Sequence, residues 1–108
     1  MEHFSNFAVM QNILFEYLYR DAANYKNHGF VIFSNKNHLT LEQIESDLRA
    51  KMIDTQWFYA NKWQVPDLHF EKWDSETDHD YHEFSFIAYS QDNATDARDI
   101  SELLSLPA

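Results

Sequence analysis

Residues 67–83 gather three histidines, His69, His79 and His82, with seven carboxylates, Asp67, Glu71, Asp74, Glu76, Asp78, Asp80 and Glu83, against one base, Lys72. Imidazole and carboxylate together are a donor set that zinc, manganese and iron accept. Within this segment the run Asp78-His79-Asp80-Tyr81-His82-Glu83 makes His79 and His82 the candidate metal ligands. Its spacing is not that of the zinc motif His-Glu-x-x-His, which puts two imidazoles on one helix face with the glutamate as base. If the run is extended, Asp80 and His82 share a face while Glu83 points away, so His82 and Glu83 are poorly placed to hold one ion. The simpler expectation is a solvated acidic loop with hydrogen-bonded histidines and no cofactor.

A second cluster surrounds Tyr19. Arg20, Asp21, Asn24, Tyr25 and Lys26 supply two cations, a carboxylate and a phenol to one loop, which suits an anionic ligand or the tuning of an acid or base. The same residues suit a loop that satisfies its own backbone, with Arg20 and Asp21 bonding locally. The aromatics of residues 57–89 are expected to build the core, with Trp63 and Trp73 the ones exposed for a partner. There is no cysteine, which excludes thiolate nucleophiles and disulfides, and a single Gly excludes glycine-rich phosphate loops. No Gly-x-Ser-x-Gly elbow is present for a serine hydrolase.

Several elements must position these groups. Residues 13–19 alternate as a mostly buried strand, residues 20–29 read as a loop, and residues 30–33 read as its antiparallel partner. Thr40 and Gln43 form a capping box, and Leu41, Ile44, Leu48 and Met52 recur at helical spacing, which predicts a helix over 41–52. Residues 56–60 read as a short strand or a tucked aromatic segment, and residues 68–73, which alternate only approximately, as an edge strand. Residues 83–89 alternate again, with Phe84, Phe86 and Ala88 assigned to one face. Asp96 then caps a helix over 97–104. Strands followed by helices in this order predict an α+β fold, a small antiparallel sheet of about four strands with helices 41–52 and 97–104 on one face.

The chain has 108 residues, enough for one domain spanning 1–108, and a formal charge of −10. With 17% aromatic and 44% hydrophobic residues it is no disordered acidic tail. The charge opposes direct nucleic-acid binding, which needs cations to neutralise phosphates. Residues 1–6 lack a basic start and a long apolar stretch, and uninterrupted apolar runs such as 7–10 and 30–33 are far shorter than the roughly 18–20 residues of a membrane span. A cytoplasmic location without membrane partners is expected, and Asn93-Ala94-Thr95 reads as a polar turn rather than a glycosylation site.

Tyr19-Arg20-Asp21-Ala22-Ala23-Asn24-Tyr25-Lys26-Asn27, Val65-Pro66-Asp67-Leu68 and Asp78-His79-Asp80-Tyr81-His82-Glu83-Phe84 together resemble a group of short, uncharacterised bacterial proteins, over residues 13–84. The resemblance implies a small bacterial cytosolic domain and no particular reaction. Taken with the charge, it leads to the expectation of a non-enzymatic interaction module engaging a basic protein partner, whether as a monomer or a homodimer. The alternative is a divalent-metal-dependent hydrolase or anionic-ligand-binding protein using His79, His82 and Arg20.

Overall fold

A computed structural model describes residues 11–107, so the apolar run at 7–10 lies outside the described residues. Alternating burial begins at β1 (Asn12–Arg20), which turns Ile13, Phe15, Tyr17 and Tyr19 to one face and leaves Leu14, Glu16, Leu18 and Arg20 on the other. It is joined by β2 (Lys26–Phe33), β3 (Trp57–Phe58) and β4 (His82–Ser90) in an antiparallel sheet of order β2-β1-β4-β3. Three helices, α1 (Leu41–Ala50), α2 (Ala60–Trp63) and α3 (Ile100–Leu104), complete the described fold. Ile44, Leu48, Trp63, Ile100 and Leu103 from these helices share a core with Ile13, Phe15 and Tyr17 of β1. The helices therefore cover the aromatic face of the sheet, and the fold is the small α+β arrangement expected. Among the described residues no helix is long and apolar enough to cross a membrane.

α1 starts where the capping pattern places it. The Thr40 hydroxyl accepts the Gln43 amide at 3.2 Å, and Glu45 pairs with Arg49 at 2.9 Å. Ile44 and Leu48 are fully buried, and such burial contributes about 1.5–3 kcal/mol per side chain, more than the surface pair can.

Elsewhere the chain departs from its local signals. The loop expected over 20–29 is confined to 21–25, because Lys26 already pairs with Arg20 in the ladder. That short turn closes because the Asp21 carboxylate accepts the Tyr25 amide at 2.8 Å and Asn24 takes a φ of 70°. Gly29, read as a loop signal, lies inside β2 opposite Tyr17. Its role is close approach, since a Cβ there would come within 2.8 Å of the Leu68 side chain.

Residues 68–73 form no strand. Their neighbourhood is held by side chains instead of ladder bonds: Tyr17 Oη donates to the Pro66 carbonyl at 2.6 Å, and Asn27 Nδ2 donates to that of Leu68 at 3.0 Å. Phe84 and Phe86, assigned to one face by alternation, lie on opposite faces. The register shifts between Glu16 and Tyr17, so that Phe86 opposes Glu16 while Phe84 opposes Tyr17, and the bulged residue, Ser85, inverts the alternation. Phe84 is buried and Phe86 exposed as a result.

The last helix begins at Ile100, three positions later than expected. Asp96 is held by Arg98 in a 2.9 Å ion pair, while Asp99 forms the reciprocal cap: its carboxylate accepts the Ser101 amide and Glu102 accepts the Asp99 amide. Asp99 with Glu102 is the acid-x-x-Glu pattern, and Asp96 has no Glu or Gln three residues on.

Candidate functional site

Two tyrosines of β1 build the site. Tyr17 and Tyr19 are fully buried, and burial raises the proton affinity of both phenols, so they act as donors. Tyr17 fixes Pro66 as described. Tyr19 Oη donates to the His79 carbonyl at 2.7 Å and accepts from Trp73 Nε1 at 3.1 Å. The segments 66–69 and 73–79 are thus pinned over the end of β1. Asp78 closes the arrangement by accepting the Ala22 and Asp74 amides, each at 2.9 Å, and these two amide bonds hold its carboxyl below the ordinary range.

This scaffold brings Asp67, His69 and His82 together, with one ligating atom from each within 4.8 Å of the others. His69 Nδ1 lies 3.0 Å and His82 Nε2 3.5 Å from Asp67 Oδ1. His69 Nε2 faces Asp80 Oδ1 at 3.2 Å. Its ring stacks on Trp73 at 4.8 Å between centroids and meets Tyr19 edge-on at 4.5 Å. Two aromatic contacts fix the plane of this imidazole.

His82 opens β4 and is 1% exposed. Its Nε2 accepts the Leu68 amide at 2.9 Å, which assigns the proton of the neutral ring to Nδ1, an atom with no partner. Burial, reinforced by neighbouring His69, lowers its proton affinity. These groups line a cleft of about 270 Å³ that opens between α2 and the acidic segment, with Asn61 and Asp80 at its sides.

The candidates drawn from sequence divide differently. Arg20 does meet Glu83, in a two-point ion pair at 3.1 and 3.2 Å, and donates to Asn24 Oδ1 at 2.6 Å. The Arg20–Lys26 loop and the 79–83 segment therefore converge, with Ala22 and Asp78 adding a second link. What they form is a fastening. Arg20 and Glu83 alternate with Tyr19 and His82 along their strands, which puts the ion pair on the opposite face of the sheet from the cleft. Asp21 serves the turn, Tyr25 is exposed on it, and Lys26 is exposed at the start of β2.

His79 stands outside the histidine–carboxylate group. Its ring stacks on Tyr81 at 3.9 Å and its Nδ1 is 3.0 Å from the Tyr81 carbonyl. Trp63, expected at the surface, is 4% exposed and stacked on Phe58 at 4.4 Å, because α2 turns it into the core. Trp73 is half-buried and committed to Tyr19, His69 and the His79 carbonyl. Asp67 and His69 lie outside the contiguous 78–83 run that carried the metal candidates His79 and His82. Their signal was the Asp-x-His spacing just after Pro66, where an extended chain puts both side chains on one side.

No protein-family model, curated protein or solved structure matches this chain.

Proposed function

We propose that the protein is a non-enzymatic binding module whose acidic 67–83 segment engages a basic protein partner. The observation that carries this reading is where its own cations are used. Arg20, Arg49 and Arg98 pair with Glu83, Glu45 and Asp96. Among the described residues no Lys or Arg pairs with Glu71, Asp74, Glu76 or Asp80, all four of which are exposed. The loop that carries them is tied down at Asp78 and Trp73, so its negative edge is presented in a fixed shape. Such an edge speeds encounter with a cationic surface and selects against acidic ones.

The test is titration of a short Lys/Arg-rich peptide into the full chain, read by tryptophan fluorescence at low salt. Glu71→Lys with Glu76→Lys is expected to weaken binding about tenfold or more. Glu42→Lys with Asp47→Lys, the same charge change on exposed positions of α1, is expected to weaken it less than about threefold. Equal losses would reduce the effect to bulk charge and overturn the assignment of the segment; absence of binding would overturn the reading itself.

A further inference from the structure

At the cleft, a neutral His69 has one N–H for two carboxylate neighbours, Asp67 and Asp80, on its two ring nitrogens. The Leu68 amide is given to His82 Nε2 and the His69 amide to Asp67 Oδ1, at 2.9 and 2.8 Å. If His69 Nε2 donates to Asp80, as its 3.2 Å contacts with both the side chain and the carbonyl allow, Nδ1 of the neutral ring carries a lone pair. That lone pair then faces a carboxylate oxygen 3.0 Å away, with the His82 Nε2 lone pair 3.5 Å from the same oxygen. One ligating atom from each of Asp67, His69 and His82 thus lies within 4.8 Å of the others, a spacing from which a single cation can draw all three.

We propose that Asp67, His69 and His82 bind a divalent transition-metal ion of the zinc class, with Asp80 orienting His69. Ligands about 2.0–2.2 Å from a tetrahedral zinc ion stand about 3.3–3.6 Å apart, so small movements complete the set. Two imidazoles and one carboxylate favour zinc, cobalt or nickel over magnesium and calcium, which prefer all-oxygen shells. The second observation is at the two rings themselves. His82 is buried at the cleft, and with the proton on its unpartnered Nδ1 the ring keeps its single lone pair on Nε2, the nitrogen that accepts the Leu68 amide and lies 3.5 Å from Asp67 Oδ1. His69 has a carboxylate on its far nitrogen, the arrangement by which ligating histidines are oriented. Metal binding takes the His82 lone pair from the Leu68 amide, and the open side of the cleft leaves the remaining coordination to water or a ligand.

This inference stands apart from the acidic edge: loss of peptide binding by Glu71 and Glu76 variants leaves it untouched. The experiment uses untagged full chain stripped with chelator, titrated with Zn²⁺ against a chromogenic indicator and with Co²⁺ by visible absorption. A single equivalent is expected, with Mg²⁺ unable to compete. Asp67→Asn and His69→Gln should each weaken binding about 100-fold and Asp80→Asn about tenfold, while His79→Gln and His28→Gln leave it unchanged. His82→Gln is read only alongside circular dichroism, because its site is buried; the two rim variants decide the matter without it. No binding at about 100 µM Zn²⁺, a concentration far above that needed by structural zinc sites, overturns the proposal. So does binding that survives both Asp67→Asn and His69→Gln, and an Asp80→Asn variant that binds as tightly as wild type removes the orienting role.

Discussion

Tyr19 links the central strand to the acidic loop through a single uncharged hydroxyl. It donates to the His79 carbonyl and accepts from Trp73. Tyr19→Phe keeps the ring and removes both bonds. It is expected to cost about 0.5–1.5 kcal/mol, measured by urea unfolding, because the bonds to Tyr19 are lost while the indole N–H and the His79 carbonyl keep each other as partners. Trp73 emission should shift to the red as its ring loosens; an unchanged spectrum and midpoint would show that packing alone holds the loop. Sequence grouped Arg20, His79, His82 and Glu83 as one candidate ligand or partner cluster, and the structure distributes them over different surroundings. Only His82 belongs to the cleft, since strand alternation sends Glu83 and Arg20 to the far face and the Tyr81 ring takes His79.

The elements were legible wherever a local signal acts locally. α1 is fixed by Thr40 and its apolar spacing. The cap of α3 is local too, although it is Asp99 and not the expected Asp96 that forms it, and its pH dependence can be worked out. The Asp99 carboxyl is raised by its burial, but donation from the Lys36 and Ser101 amides and the Ser101 and Ser34 hydroxyls outweighs this and leaves it below its ordinary 3.8. A carboxyl held low when folded adds stability above its unfolded value and loses it as pH falls through the folded one. Asp99→Ala is therefore expected to cost about 1–2 kcal/mol at neutral pH, with the gap to wild type closing below about pH 4 in thermal melts. A gap constant with pH would assign the loss to packing. The elements that sequence missed depend on distant partners. Gly29 is a strand residue because Leu68 must lie against it. Gly29→Ala should cost no more than about 1 kcal/mol, as the end of the Leu68 side chain can turn aside, whereas Gly29→Val should cost about 1–3 kcal/mol. Gly29→Val should also shift the amide NMR signals of residues 66–69, and no shift there would mean that Leu68 does not rest on β2.

Over the whole molecule, the charge of −10 acquires a distribution. Beside the helices Glu45 and Asp96 are paired with Arg49 and Arg98 and Asp99 and Glu102 are used in a cap, while in the 67–83 segment Glu71, Asp74, Glu76 and Asp80 pair with no Lys or Arg along an edge fastened by Asp78, Tyr19 and Trp73. Composition, capping patterns and strand alternation were enough for the class of fold, for α1 and for most of β1 and β4, because helix propensity and pleat are properties of neighbouring residues. The bulge that separates Phe84 from Phe86 was not legible, since it arises from pairing with β1. Nor was the cleft. Asp67, His69 and His82 are joined by backbone carbonyls that Tyr17 and Tyr19 reach from another strand, and no spacing along the chain encodes a contact made through a third element. The residue types that do chemistry were determined by the sequence alone; which of them face one another was decided by the tertiary structure, because side-chain convergence depends on the register and twist of strands far apart in the chain.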